Sequence, residues 1–253
     1  MKRIVSLTLC MLMVAALLAG CGSQKPRTTW VIAVDGDFSP FVYADADGKA
    51  AGLDVEILDA IARDQNFRYE LHPSDWDTAM GVFTSHQAQV LMGSIASSQD
   101  RIDGGWYFSQ SFYDGVTQSM AMEPSSDTNT LADLAGKAVA VVSGTLGAAY
   151  AESVKDTYGF SIATFSDSHA MYAAVLKGRA AACFEDTPAL RDSIAGGVAL
   201  EMVPGSEGAA SDYCVAICDE KDQPFLELFN QGLANIRANG VYDAILAKYA
   251  DSL

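Results

Sequence analysis

From Thr29 onward, the chain alternates short apolar stretches with segments whose apolar residues recur at helical spacing. The short stretches are typical of buried β-strands, and the spaced residues, as in 54–64, are typical of helices with one apolar face. Strands that alternate with helices form mainly parallel sheets covered by helices on both sides. The sequence therefore predicts an α/β fold.

The alternation occurs in two runs, the second of which starts near Val116. The chain is long enough for two modest domains, so we expect one domain from each run. The predicted strands are 29–34, 68–71, 90–92, 138–142, 162–165, 181–184 and 213–217. The predicted helices are 54–64, 75–85, 146–156, 170–177, 224–238 and 241–249.

Four loops follow the predicted strands at positions where α/β sheets usually bind ligands. In open parallel sheets, ligands bind beyond the carboxyl ends of the strands. That rule selects the loops 35–41, 93–101, 143–147 and 185–188. We expect their side chains to surround a small polar ligand.

The first two loops combine charge, an aromatic ring and small residues. Asp35 and Phe38 supply a carboxylate and an aromatic face. The small residues that begin at Gly93 and Ser94 allow a ligand to approach the backbone closely. Arg101 ends the second loop, and its guanidinium group suits a carboxylate.

The other two loops each precede a predicted helix. The helix that follows Gly144 and Thr145 can hold an anion, because the first amides of a helix have no intrahelical acceptor. Glu185 and Asp186 place acid at the start of another helix.

Each of these residues also has a purely structural interpretation. Arg101 could be a solvated surface residue, and Thr145 and Asp186 could be helix caps. Phe38 and Trp76 could be core residues. The functional interpretation depends on four such loops occurring together at strand ends.

The N-terminal segment has the features of a lipoprotein leader. Lys2 and Arg3 precede an apolar run, which ends in Leu18-Ala19-Gly20-Cys21. A basic start, a short apolar run and small residues before a cleavage point are typical of a secretory signal, and Leu-Ala-Gly-Cys resembles the bacterial lipobox. We expect residues 1–20 to be a signal peptide, Cys21 to carry lipid and 21–28 to form a polar tether. An ordinary secreted protein is the alternative.

Charge narrows the possible partners. Without residues 1–20 the chain has 14 basic residues against 32 acidic ones, a formal net charge of −18. Such a surface repels nucleic acid and anionic lipid, so we expect no nucleic-acid partner. The sequence contains no second long apolar stretch of the kind that a multispanning transporter requires.

Neither a metal nor another cofactor is expected. The three histidines are scattered along the sequence. Asp45-Ala46-Asp47-Gly48 partly resembles a calcium loop, but Tyr43 and Asp54 would stand where acidic end ligands are required. A hairpin turn is the better interpretation of this segment.

The cysteines beyond Cys21 are predicted to be free thiols. Cys214 and Cys218 would be roughly 13 Å apart on one strand, which is too far for a disulfide. A bridge from Cys183 to either of them remains an alternative.

The sequence also resembles one protein family over nearly all of residues 21–253. The chain is similar to the extracytoplasmic solute-binding proteins that deliver amino acids to ABC importers, in the branch for polar amino acids. The matching segments are Ser39-Pro40-Phe41, Gly48, Gly52-Leu53-Asp54-Val55-Glu56-Ile57, Trp76, Ser98-Gln99-Asp100-Arg101, Phe108-Ser109-Gln110-Ser111-Phe112-Tyr113, Leu131-Ala132-Asp133-Leu134-Ala135-Gly136-Lys137, Ser143-Gly144-Thr145, Glu185-Asp186-Thr187-Pro188 and Asn239-Gly240-Val241-Tyr242.

The resemblance implies a two-lobed periplasmic-binding-protein fold of type II, in which each lobe is a mainly parallel sheet flanked by helices. The first lobe would comprise 29–115 and 211–253, and the second would comprise 116–210. Two hinge crossings would join the lobes near 114–116 and 209–212.

The resemblance also implies roles for individual residues. Arg101 would bind the α-carboxylate of the ligand, with help from amides near Thr145 and Leu146, and Asp186 would bind its α-ammonium group. Phe38 and Trp76 would enclose the ligand side chain, and Asp35 would contact its tip. The complete set of expected ligand-binding residues is Asp35, Phe38, Trp76, Gly93, Ser94, Ala96, Arg101, Gly144, Thr145, Leu146, Glu185 and Asp186.

Two departures from the family pattern affect this site. Ala96 replaces the usual serine or threonine, which removes one acceptor for the ligand amine and weakens its binding or favours an unusual amine. The segment from Arg101 to Phe108 is one residue longer than usual, and we expect Gly104 and Gly105 to absorb the extra residue.

We therefore expect a monomeric binding protein, anchored to the membrane through Cys21, that gives a polar and preferably cationic amino acid to an ABC importer permease. Acids at Asp35, Glu185 and Asp186 favour the cation. A sensor component for a membrane receptor and a dehydratase-type enzyme on the same fold are the alternatives, since fold alone does not decide function.

Overall fold

Strands and helices alternate through the computed structural model, which describes residues 29–208 and 210–253. The strands are β1 (Thr29–Asp35), β2 (Asp37–Phe38), β3 (Val42–Ala44), β4 (Ala50–Ala51), β5 (Arg68–Ser74), β6 (Val90–Ala96), β7 (Tyr107–Phe108), β8 (Tyr113–Val116), β9 (Gln118–Met122), β10 (Ala138–Val142), β11 (Ser161–Phe165), β12 (Ala182–Asp186), β13 (Glu201–Met202) and β14 (Ser211–Ile217). The helices are α1 (Leu53–Gln65), α2 (Trp76–Thr84), α3 (Gln99–Asp103), α4 (Leu146–Tyr158), α5 (Ser168–Leu176), α6 (Thr187–Ala195), α7 (Gln223–Ala238) and α8 (Val241–Leu246). The predicted signal peptide (1–20), the tether (21–28) with Cys21, and Ala209 lie outside the described residues.

The first large sheet combines strands from both ends of the chain. Its order is β5-β1-β6-β14-β7, and β8 also pairs with β14. β1 is parallel to β5 and β6, whereas β14 runs antiparallel to β6, β7 and β8. Leu58 on α1 and Phe225 and Phe229 on α7 are buried with strand residues in one apolar cluster. This packing attaches the C-terminal helices to the sheet that begins the fold.

The second large sheet is built entirely from the middle of the chain. Its order is β11-β10-β12-β9-β13. β10 is parallel to β11 and β12, and β9 is antiparallel to β12 and β13. Each large sheet therefore has three parallel strands extended by antiparallel ones. The prediction of mainly parallel sheets was correct only for these three-strand centres, because β9 and β14 follow passages between the sheets rather than helices.

The chain passes between the two sheets at two adjacent points. β8 ends at Val116 and β9 begins at Gln118. On the return, Ser211 at the start of β14 pairs with Val116, and the Gly115 amide donates a hydrogen bond to Asp212 Oδ1 at 2.9 Å. The predicted crossing at 114–116 lies in β8. The crossing predicted at 209–212 includes the undescribed Ala209 and the start of β14.

The Asp45–Gly48 segment forms a hairpin turn between β3 and β4. Asp45 Oδ1 accepts hydrogen bonds from the amides of Asp47 and Lys49, both at 2.9 Å. This carboxylate is therefore used by the turn itself, which agrees with the hairpin interpretation. Among the described residues, no group of three or more His, Cys, Asp or Glu side chains is arranged to hold a metal ion.

The three described cysteines are free thiols. Cys183 and Cys214 are buried in the second and first sheets respectively, and Cys218 is partly exposed. This agrees with the expected free thiols and not with the alternative bridge from Cys183. In the part of the chain that the structure describes, every helix is too short or too polar to span a bilayer.

Candidate functional site

A cavity lies where strand ends of both large sheets meet. About 420 Å³ of space between atoms lies there, part of it open to solvent. Its lining residues are Asp35, Phe38, Trp76, Gly93, Ile95, Ala96, Arg101, Val142, Gly144, Thr145, Leu146, Ser168, Glu185 and Asp186. The carboxyl ends of β1, β10 and β12 contribute Asp35, Val142 and Asp186, which is the arrangement that parallel strands predict.

The structure brings nearly all of the predicted site residues into this one cavity. Ser94 is the exception: it lies in β6, and its side chain is outside what the structure describes. Sequence reasoning missed Ile95, Val142 and Ser168. Ser168 follows the carboxyl end of β11, so the same strand-end rule would have found it if applied to that loop. That these residues contact a ligand remains a prediction.

Arg101 projects from α3 into the space between the sheets. Ser98 caps the start of this helix, since its Oγ accepts a hydrogen bond from the Arg101 amide at 3.3 Å. The guanidinium group donates from Nη1 to the Ala96 carbonyl at 2.6 Å and from Nη2 to the Gly144 carbonyl at 2.9 Å. Burial lowers the pKa of Arg101, but an arginine stays charged in proteins. A fixed cation therefore faces the cavity.

The turn before α4 lies opposite Arg101. Thr145 caps the helix, since its Oγ1 accepts a hydrogen bond from the Ala148 amide at 3.2 Å. Thr145 therefore acts as a helix cap and also lines the cavity. A side-chain carbon at Gly147 would come within 2.5 Å of the Phe184 carbonyl oxygen, so only glycine lets the first turn of α4 lie this close to β12. The helix start, where amides favour anions, is thereby fixed beside Arg101.

A second side chain of the first sheet's helices crosses to this turn. Trp76 begins α2, is buried, and donates from Nε1 to the Ser143 carbonyl at 2.8 Å. Together with the hydrogen bond from Arg101 to Gly144, this makes two side chains attached to the first sheet that bind the backbone next to the second sheet. Both units therefore form opposite walls of one closed cleft.

Asp186 is held by groups from both passages between the sheets. Gln118 Nε2, just after the first passage, donates to Asp186 Oδ1 at 3.2 Å, and the Tyr213 hydroxyl on β14 donates to Oδ2. The Asp186 side chain makes no capping hydrogen bond to α6, so the helix-cap interpretation is wrong. The carboxylate is aimed into the cavity instead. The contacts of Gln118 and Tyr213 with Asp186 could not be predicted from local sequence, because both residues are far from Asp186 along the chain.

Glu185 and Asp186 form a buried acidic pair. Glu185 is 3% exposed and Asp186 4%. Glu185 accepts hydrogen bonds from Ser168 Oγ at 2.7 Å and from the Asp186 amide at 3.1 Å. Burial raises the pKa of both carboxyls, and the proximity of Asp186 raises the pKa of Glu185 further. The Glu185 side chain therefore faces the cavity rather than solvent.

Asp35 supplies a third carboxyl from the opposite sheet. Its Oδ1 accepts a hydrogen bond from the Asp37 amide at 3.0 Å. Burial raises the pKa of Asp35 to about 7, and the neighbouring acids Asp37, Asp75 and Asp167 also raise it. The cavity is therefore lined by three carboxyls and one guanidinium group. A ligand that brings positive charge would relieve this imbalance.

An aromatic chain connects the cavity to the first core. Phe38 lines the cavity and stacks on Phe41 at 5.7 Å between ring centroids, and Phe41 meets Tyr213 edge-on at 5.1 Å. Phe38 is therefore both a packed residue and a cavity wall. The ring that it presents can cover a flat or extended ligand group.

Two α/β units joined by paired strands, with a small charged cavity between them, define a two-lobed ligand-binding protein. Residues 30–252 match the family model described as bacterial extracellular solute-binding proteins, family 3, and the chain belongs to that family. The expected type II fold is confirmed, as is the expectation of a solute-binding protein rather than an enzyme. The family description places its members outside the cell interior.

Curated relatives are similar over almost their whole length. A "Probable histidine-binding protein" of Neisseria gonorrhoeae is 23% identical over 247 residues, which cover 93% of this chain and 91% of the relative. The L-cystine-binding protein TcyJ of Escherichia coli K12 is 25% identical, with 89% and 84% covered. The lysine/arginine/ornithine-binding periplasmic protein of E. coli K12 is also 25% identical, with 87% and 86% covered.

Solved structures show the same fold. The "second substrate binding domain of a putative amino acid ABC transporter" from Streptococcus pneumoniae Canada MDR_19A is 32% identical, with 87% of this chain and 99% of that chain covered and a TM-score of 0.59. The P235GK mutant of ArgBP from T. maritima is 25% identical, with 87% and 94% covered and a TM-score of 0.76.

Proposed function

We propose that this protein captures a cationic amino acid between its two lobes outside the cytoplasm and delivers it to an ABC importer. One observation carries the cationic preference: Asp35, Glu185 and Asp186 line the same cavity, where Arg101 is the single lysine or arginine among the lining residues. The ligands and transporter named for the relatives support the amino-acid class and the importer.

Each pole of the cavity suits one part of an amino acid. Arg101 and the start of α4 form a cationic pole for the α-carboxylate. Asp186, fixed by two donors, is the acceptor for the α-ammonium group. Asp35 and Glu185 remain for a positive side chain, and the Phe38 ring favours a cation over its face. Ala96 offers the amine no side-chain acceptor from the first lobe, so Asp186 of the second lobe is the acceptor for this group.

The lobes in this proposal follow the two sheets. We place 29–115 and 211–253 in the first lobe and 116–210 in the second. The paired passages at Val116 and Ser211 would act as the hinge, and closure around a ligand is the usual motion of periplasmic binding proteins. We propose a monomer as the working unit.

The ligand class is tested by calorimetric competition among arginine, lysine, histidine, glutamine, cystine, leucine and glutamate. We expect the cationic amino acids to bind most tightly, because each places positive charge among three carboxyls. Preference for leucine or glutamate over every cationic and neutral polar ligand would overturn the proposal.

A matched pair of variants tests, in the same assay, the two acids that we propose bind the side chain of the ligand. Asp35→Asn and Glu185→Gln keep side-chain size but remove charge, so each should reduce the preference for arginine over glutamine. Asp77→Asn, on the exposed side of the first turn of α2, is the control and should leave that preference unchanged. Equal preference in all three variants and the wild type would remove Asp35 and Glu185 from ligand selection.

Membrane attachment is a separate part of the proposal and depends on Cys21. Cys21→Ser should release the protein from the membrane fraction or block its processing, because the lipid has no other acceptor in the lipobox-like segment. Lipid attachment of at least two chains gives stable anchoring. Mass spectrometry of the mature N-terminus, with Cys218→Ser as the control, checks this. Unchanged membrane association and no lipid mass would contradict it.

A further inference from the structure

The guanidinium group of Arg101 lies against an aromatic ring that the proposed binding role does not use. Its Cζ atom is 5.4 Å from the centroid of the Trp106 ring. That distance is within the range of a favourable cation–π contact. The two carbonyl acceptors, on Ala96 and Gly144, contact the edge of the guanidinium group. The ring therefore adds a contact of a different kind from these two hydrogen bonds.

A glycine turn brings Trp106 to this position. α3 ends at Asp103, and Gly105 takes a φ of +87°, which favours glycine. The chain then reverses so that the Trp106 amide donates to the Arg101 carbonyl at 3.0 Å. A side-chain carbon on Gly104 would come within 3.1 Å of the Asp100 carbonyl oxygen. The turn after Arg101 thus places an aromatic ring against its guanidinium group.

The Trp106 ring is itself held by the first lobe. It meets Phe83 edge-on at 4.9 Å with an interplanar angle of 84°, and it lies 6.3 Å from Phe108. Phe83 is fully buried on α2. Because its neighbours belong to the core, the ring gives the guanidinium group a fixed surface rather than a mobile one.

We infer that Trp106 is a positioning residue, which orients the Arg101 guanidinium group for the carboxylate of the ligand. The inference rests on the proposed function. An arginine side chain has many rotamers, and holding one of them in advance reduces the entropy lost on binding. The ring accepts none of the N–H donors in a conventional hydrogen bond, so those that the Ala96 and Gly144 carbonyls do not use stay available for a carboxylate. Trp106 therefore acts on carboxylate recognition without touching the ligand.

The test compares an amino acid with its α-carboxamide, using the tightest wild-type ligand of the calorimetric panel. Trp106→Leu and Trp106→Met remove the aromatic ring, and Trp106→Phe retains one. We expect the two ring-deleting variants to bind the amino acid about three- to thirtyfold more weakly, the range of a cation–π contact. Binding of the carboxamide should change much less, and Trp106→Phe should restore most of the affinity for the acid.

A double-variant cycle with Arg101→Met separates positioning from general packing. In that background, Trp106→Leu should cost no further affinity for the acid. Equal weakening of acid and carboxamide, or the same loss with and without Arg101, would overturn the inference and leave Trp106 a packing residue. If the wild type binds amino acids but Trp106 variants keep its discrimination between acid and amide, only this inference fails. A wild type that binds no amino acid would overturn the proposed function and this inference together.

Discussion

Arg101→Met is expected to weaken amino-acid binding by more than about a hundredfold. The substitution keeps an unbranched side chain but leaves the ligand carboxylate without its charged partner in a closed cavity. Removing one partner of a buried ion pair typically costs about 3–5 kcal/mol. Isothermal titration calorimetry on the folded variant gives the change in Kd directly.

A surface arginine provides the control for this prediction. Arg63 lies on α1 with its side chain 79% exposed, and it pairs with Asp59 on the same helix. Arg63→Met should leave ligand affinity unchanged. Near-wild-type affinity in a correctly folded Arg101→Met protein would show that the carboxylate does not bind at Arg101.

The affinity for a cationic amino acid is expected to fall by at least about tenfold as the pH decreases from 8 to 5, since one pKa unit corresponds to a tenfold change. The pKa values of Asp35, Glu185 and Asp186 are all raised, that of Asp35 to about 7. Acidification therefore protonates these carboxyls within this range. A cationic ligand needs them ionised, so protons compete with it.

The ligand-free protein should respond to pH in the opposite direction. Because the folded pKa of Asp35 lies above the ordinary value of 3.8, the folded state binds more protons than the unfolded state between those values. Its free energy of unfolding therefore increases as the pH falls through this window and decreases as the pH rises. Thermal unfolding with and without ligand from pH 8 to pH 5 measures both trends.

Asp35→Asn is the matched variant for the pH prediction. It removes one of the three titrating carboxyls and should flatten both pH dependences without removing them. Affinity for a cationic amino acid that stays constant, or increases, on acidification would show that the cavity carboxyls do not bind the positive charge.

The sequence was sufficient for those parts of the fold that depend on local pattern. The six strands of the two parallel centres, β5-β1-β6 and β11-β10-β12, were predicted, but their order was not, because each strand is followed by a turn or helix of recognisable spacing whereas pairing leaves no such pattern. The observed strand boundaries differ from the predicted ones where pairing with another strand lengthens a strand. The segment 93–96 was expected to be a loop, but it continues β6, since Ile95 and Ala96 pair with Cys214 and Tyr213 on the antiparallel β14. A partner more than a hundred residues away leaves no local signal.

The same distinction applies to the cavity. Asp35, Arg101, Thr145 and Asp186 were expected at strand ends, where topology alone brings side chains together. Gln118 and Tyr213 were not expected, because they reach Asp186 only through the passages between the sheets. The ring against Arg101 was likewise not expected, because it comes from Trp106 five residues further along and reaches the guanidinium group through a glycine turn.

The attachment of Asp186 to both passages has a kinetic consequence. When two bodies rotate about a hinge, points near the axis move little and distant points move far. With the proposed hinge at Val116 and Ser211, Asp186 is bonded next to the axis, whereas Arg101 and Thr145 would belong to opposite bodies and would separate as the cleft widens. We expect the ligand to dissociate first at its carboxylate, because opening separates Arg101 from the amides at the start of α4 and the carboxylate can stay bonded to only one of them. The amine would dissociate last. An importer that pulls the bodies apart would then receive the ligand in one defined orientation, still tethered at its amine end.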